Sequence, residues 1–157
     1  WTASVWDLPS LEFLLAYDPP WLKIPSACLT DLPLLEACRQ SGKPIVASTG
    51  MSGLSEIDRA VTVLGTAHLV LLHCVSAYPV TDVQELNLRC ILTLRERYHV
   101  PVGFSDHSTG VWAPLAAAVL GAFIATLSTK ITSPSLYFLD NVTSKAFWRI
   151  ERFTLRV

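Results

Sequence analysis

The sequence predicts an α/β fold, a partial (β/α)8 barrel of about six βα units followed by a divergent C-terminal tail. Three observations carry that expectation. Short, nearly all-apolar runs alternate with longer amphipathic stretches, as buried parallel strands alternate with helices. The runs recur at a spacing of roughly 20–30 residues, the rhythm of βαβ units. No glycine-rich phosphate loop follows any run, which weighs against a doubly wound nucleotide-binding sheet.

The expected strands are Thr2–Trp6, Trp21–Ile24, Pro44–Ser48, Leu69–Cys74, Pro101–Phe104 and Ala122–Ala125. Five helical patterns lie between them. The first starts after Asp7 and Pro9, a good helix opening. The second runs from Asp31 to Gln40 and stops near Gly42; the third runs from Ser52 to Leu64 and stops at Gly65. Glu85–Tyr98 and Val111–Leu120 complete the series. A full barrel usually takes about 250 residues, so two further units are expected ahead of Trp1. Residues 1–130 read as the barrel segment and 131–157 as the tail, where Phe147, Ile150, Phe153 and Val157 share one side of a possible helix.

The 157 residues are 51% hydrophobic and 16% charged, a globular composition. The formal net charge of −1 gives no basic field for nucleic acid. No apolar run reaches the ~20 residues of a membrane span; the most apolar stretch, Val111–Leu127, is broken by Pro114, Gly121 and Thr126. No basic region precedes an apolar one at the N-terminus, so no secretory signal is read there. Cys28, Cys38, Cys74 and Cys90 form no C-x-x-C pair. They read as small buried hydrophobes in a reducing cytoplasm.

Polar residues cluster where the strands end. Ser4 lies in the first, and Lys23 and Ser26 mark the second. Ser48-Thr49-Gly50-Met51 closes the third, His73 through Pro79 the fourth, and Gly103 through Ser108 the fifth. In a βα barrel these ends converge on one face, where active sites form. Hydroxyls, one ammonium and one imidazole on a single rim suit a phosphorylated, hydroxyl-rich substrate. Ser48, Thr49 and Ser108 either serve that rim or cap the helices that follow. Lys23 is the most telling residue, because an unpaired ammonium inside an apolar strand is expensive. His107, beside Asp106 and Ser105, reads as functional; His73 reads as a hydrogen-bonded core histidine, and His68 and His99 fall on the opposite rim.

Six ordered blocks, Thr2–Asp7, Leu22–Ser26, Ser48–Met51, Leu71–Pro79, Leu86–Arg89 and Pro101–Ser108, resemble the bacterial N-acetylneuraminate (sialic acid) synthase family, which includes legionaminate and pseudaminate synthases. The resemblance covers residues 1 to about 122. It implies a (β/α)8 barrel followed by a small antifreeze-like domain, in a cytoplasmic homodimer. It also implies a reaction joining carbon 3 of phosphoenolpyruvate to the aldehyde carbon of an N-acetylated amino sugar such as N-acetylmannosamine. Water adds at carbon 2, and phosphate leaves by C–O cleavage. Mn2+ or Mg2+ is the implied cofactor. Lys23 would hold phosphoenolpyruvate, with Ser4, Ser26, Ser48 and Ser105 around its phosphate and carboxylate. Ser76 and Tyr78 would contact the sugar, and His107 would be the first of two metal-binding histidines.

The resemblance then breaks. The family's next strand carries a glutamate and the second metal-binding histidine, but Thr126 and Ser128 occupy those positions here. The metal site is therefore expected to be incomplete and the fragment inactive. The abruptness of the break suggests a reading-frame shift near Phe123–Ala125. Two other readings stay open at this point: an aldolase-like barrel using Lys23 as a Schiff base, and a non-catalytic interaction protein retaining part of a barrel.

Overall fold

Strand and helix alternate through residues 1–127, the residues described in a computed structural model. The helices are α1 (Leu8–Leu15), α2 (Leu32–Gln40), α3 (Leu54–Leu64), α4 (Cys90–Tyr98) and α5 (Trp112–Val119). The strands are β1 (Leu22–Ile24), β2 (Ile45–Ser48), β3 (Leu69–Cys74), β4 (Val102–Asp106) and β5 (Ala125–Leu127). All strand pairs are parallel, and their order in the sheet is their order in the chain, β1 through β5. A doubly wound sheet would reverse that order part-way; a barrel-type arc does not. Among the described residues no helix is long and apolar enough to cross a membrane.

Local chemistry sets the element boundaries and corrects three expectations. The expected first strand, Thr2–Trp6, is only a single bridge between Ser4 and Lys23, with Val5 N–H donating to the Lys23 carbonyl at 2.9 Å. The Ser10 hydroxyl accepts the N–H groups of Trp6 (3.0 Å) and Asp7 (3.1 Å), while Asp7 Oδ1 accepts Ser10 N–H (2.8 Å). That capping box claims the donors a longer strand would use. The described sheet thus has five strands, where six were expected. The last strand falls at Ala125–Leu127 instead of 122–125, because Ala122 N–H bonds back to Ala117 at the end of α5. The expected helix Glu85–Tyr98 is interrupted. A 3-10 turn spans Val83–Leu86, Asn87 adopts φ 38°, and α4 begins only at Cys90. The expectations for Ser128 and for residues 131–157 lie outside the described residues.

The period of two along each strand sorts side chains to two faces. Leu22 and Ile24 of β1, Ile45 and Ala47 of β2, Leu69 and Leu71 of β3, and Val102 and Phe104 of β4 pack outward among the helices. Val46, Val70 and Leu72 pack inward, with Trp21, Phe123 and Ile124 against them. Gly103 lets the inner face close up: a Cβ there would meet Ile124 O at 2.5 Å and Leu72 Cδ2 at 2.7 Å. His73 faces outward as expected, its Nε2 2.7 Å from Leu86 O and its ring stacked on Phe104. On the outer surface Arg97 grips both Asp58 oxygens (2.8 and 2.7 Å) and pins α4 to α3.

Leu71 is fully buried in the outer core, whereas Val119 is 88% exposed. Leu71→Ala should lower unfolding free energy by about 2–5 kcal/mol, and Val119→Ala should change it by less than about 0.5 kcal/mol. Urea denaturation measures both, and equal effects would contradict the packing described.

Candidate functional site

The inward face that carries Val46 and Leu72 continues upward into polar positions. Lys23 is in register with Val46, and Cys74 with Ser105. These positions, with the loops just past the strands, form one cavity of about 470 Å³. All eight residues that the resemblance assigned to substrate or metal line it: Ser4, Lys23, Ser26, Ser48, Ser76, Tyr78, Ser105 and His107. They arrive from five successive segments of the chain, and parallel pairing brings them together.

Lys23 sits at the centre of the electrostatics. Its Nζ donates to Ser48 Oγ at 2.6 Å and to the Ile24 carbonyl at 2.9 Å. Burial pushes its pKa down to about 8, against the opposing pull of the Cys74 sulfur. Among the described residues no aspartate or glutamate lines the cavity. An ammonium held by neutral acceptors alone remains short of a counter-charge.

The hydroxyls are placed by backbone. Gly50 N–H donates to Ser26 Oγ at 3.1 Å. A Cβ on Gly50 would meet Ser76 Oγ at 2.4 Å and Ser26 Oγ at 2.9 Å, so only glycine leaves both serines where they stand. The Ser76 hydroxyl is buried and makes no hydrogen bond of good geometry. Neither Ser48, Thr49 nor Ser108 caps a helix. The first accepts a hydrogen bond from Lys23, Thr49 donates to Leu72 O at 3.0 Å, and the N-caps of α3 and α5 are Gly53 and Val111.

His107 is buried, its Nδ1 2.8 Å from Val75 O and 3.7 Å from Cys74 Sγ. The carbonyl contact calls for the proton on Nδ1 and leaves Nε2 for the cavity. Burial pulls the His107 pKa down, but the bonds to Cys74 and Val75 lift it above the ordinary imidazole value. Burial pushes the Cys74 thiol up, yet its bonds with His107 and Ser26 bring it below the ordinary thiol value. Tyr78 lies over His107 with ring centroids 4.2 Å apart and is itself exposed. His107 does not pair with Asp106 through a hydrogen bond. The fully buried Asp106 accepts Ser108 N–H through Oδ1 at 2.8 Å, and its Oδ2 has no partner among the described residues.

Two members of the site were not read from sequence. Cys74 was taken as packing, but its sulfur lies 3.6 Å from Ser26 Oγ and bridges toward His107. Its position one residue past His73, on the inward phase of β3, is the signal that finds it. Gly50 could have been found as the glycine between the polar end of β2 and the next helix.

A divalent metal does not fit the described residues by themselves. They hold no cluster of three or more His, Cys, Asp or Glu side chains, and the cavity offers a single imidazole. Mn2+ and Mg2+ take mainly oxygen ligands, carboxylates above all. The second expected ligand position, Ser128, is outside the described residues.

Comparison with known proteins agrees with this geometry. The chain is 37% identical over 125 residues to the N,N'-diacetyllegionaminic acid synthase of Legionella pneumophila, covering 75% of this chain and 35% of that protein. It is 41% identical over 127 residues to the N-acetylneuraminate-9-phosphate synthase of Drosophila melanogaster, covering 78% and 34%. The structure of the sialic acid synthetase of Leptospira borgpetersenii in complex with citrate superposes with a TM-score of 0.75 at 33% identity, over 95% of this chain and 55% of that one. The chain spans about a third of the length of the curated relatives it matches. Residues 1–130 match the NeuB family, and the chain belongs to it.

Proposed function

We propose that this cavity is the phosphoenolpyruvate-binding portion of a nonulosonic acid synthase. One observation carries the reading: a partly buried, desolvated ammonium with no carboxylate partner among the described residues, set among hydroxyls at the C-terminal end of a parallel sheet. Such a pocket is short of one negative charge, and a phosphate or carboxylate supplies it with charge-assisted bonds. Lys23 with Ser48 holds one anionic group, while Ser4, Ser26 and Ser105 line the same wall. The exposed Tyr78 stands toward solvent, where the amino sugar would enter, with the buried Ser76 hydroxyl beneath it.

In the whole protein the enol carbon of phosphoenolpyruvate attacks the sugar aldehyde, water adds at carbon 2, and phosphate departs. This chain's contribution is to bind and orient the anion. Binding alone does not accelerate that chemistry; groups that respond to the transition state are needed. The imine alternative for Lys23 is disfavoured, because its amine is tied to Ser48 and Ile24 and no lining carboxylate is present to move protons.

Calorimetry with phosphoenolpyruvate tests the reading. Lys23→Ala should weaken binding by about 10- to 150-fold, since a bond to a charged group contributes roughly 1.5–3 kcal/mol. Equal binding by both proteins would remove Lys23 from the role.

The same lysine should leave a mark on stability. Its folded pKa of about 8 lies below the 10.5 of a free lysine, so between those pH values the unfolded chain binds the proton more tightly. Lys23 therefore destabilises most below pH 8, and that cost fades as pH rises toward 10.5. The stability of Lys23→Met relative to the parent should be most favourable near pH 7 and fall as pH rises. A flat or opposite trend in urea midpoints would mean the ammonium is not buried as described.

The purified chain, given phosphoenolpyruvate, N-acetylmannosamine and Mn2+, should release no phosphate above background. Steady, sugar-dependent phosphate release would overturn the division between binding and chemistry drawn above.

A further inference from the structure

A second cavity lies behind the first, and neither the family chemistry nor the residues discussed so far accounts for it. It measures about 590 Å³ and is bounded by the loop after β3, the start of α4 and the inner side of α5. That volume is within the roughly 300–1,000 Å³ usual for small-molecule sites. A seam of backbone separates it from the phosphoenolpyruvate pocket: Val80 N–H donates to His107 O at 3.0 Å, and Val80 bridges to Ser108. His107 lines the first cavity and Ser108 the second.

The lining has a definite chemistry. Leu86, Ala113, Ala116 and Leu120 give an apolar floor, and Trp112, 79% exposed, stands at the mouth with a ring face to offer. Arg89 is the one charged residue in the lining, with Asn87 and Gln84 beside it. Among the described residues the Arg89 side chain makes no hydrogen bond or ion pair. It also stands at the N-terminus of α4, where a cation opposes the helix dipole and no side chain caps the helix. That placement does nothing for the helix, and an anion in the cavity would reconcile it. Asn87, at φ 38°, lies between the buried Leu86 and the exposed Arg89, and all three line the cavity.

We propose that this cavity binds a small sugar acid, with its carboxylate on Arg89 and its ring against Trp112. The choice of a sugar acid over other carboxylates rests on the synthase reading; the cavity and its charge do not. The test uses the full chain, N-acetylneuraminate as the acid probe, N-acetylmannosamine as the uncharged probe, and phosphoenolpyruvate to report the first cavity. N-acetylneuraminate should bind the parent and Lys23→Ala equally. Arg89→Gln and Trp112→Ala, both at exposed positions, should each weaken it by roughly tenfold or more. They should leave phosphoenolpyruvate binding unchanged, and N-acetylmannosamine should not bind this site. Unaltered acid binding in both cavity variants, or loss of it in Lys23→Ala alone, overturns the proposal. So does absence of acid binding by a chain that still binds phosphoenolpyruvate, and in that case the synthase reading stands. Failure of phosphoenolpyruvate alone to bind sinks the synthase reading and leaves the second cavity to be judged by the Arg89 and Trp112 variants.

Discussion

An ammonium buried in the middle of a parallel strand must be solvated by something, and the rim of this sheet is organised around that demand. Lys23 lies on the inward phase of β1, in register with Val46, at a level where β2 and β3 present only hydrocarbon. Its stem crosses that apolar layer and delivers Nζ to Ser48 Oγ and Ile24 O. Neutral acceptors reduce the desolvation cost but do not cancel the charge, and a pKa pushed down to about 8 expresses the remainder. A carboxylate in the lining would have satisfied the lysine and closed the site to anions. None is present among the described residues, and on the proposed reading the same charge that costs stability is the one that binds.

The rest of the architecture makes that property possible. Outward positions on β1 through β4 carry a largely apolar core beneath the helices, with His73 hydrogen-bonded within it. The stability of the sheet therefore does not depend on the inward rim, and the rim is left to polar residues. Two glycines allow the closeness this requires. Gly103 lets β4, Leu72 and the segment before β5 pack without a gap, and Gly50 lets the Ser26 and Ser76 hydroxyls converge from different loops. At either position a methyl group would meet backbone or a hydroxyl inside van der Waals distance.

Much of this was legible in sequence because its causes are local or periodic. Apolar runs marked β1 to β4, Asp7 and Asp31 marked the starts of α1 and α2, and polar residues after the runs marked the rim. The rest depends on competition between neighbours. Nothing in Thr2–Trp6 reveals that Ser10 will take the N–H groups of Trp6 and Asp7 and cut a strand to one bridge. Nothing in Cys74 alone distinguishes a packed thiol from one lying between Ser26 and His107; that contact needs the register of β3 with β4. The second cavity was hidden for the same reason: Asn87 and Arg89 belong to a recognisable block, but Trp112 and Leu120 reach it only through the packing of α5.

The register also says where binding ends and chemistry should begin. Apart from Ser4 and Trp6, the groups that line the pocket sit on or just past β1 to β4, with Ser105 the last of them in a strand. β5 pairs Thr126 with Ser105, so the next strand brings its own residue to the level of the pocket. That is the position at which the resemblance expects a glutamate. On the proposed reading, a carboxylic acid in that strand is the group that could move a proton in the transition state. A threonine has neither the charge nor the acidity for that task. On the reading proposed above, anion binding and proton transfer are duties that parallel pairing assigns to different strands, so one can be kept where the other is lost.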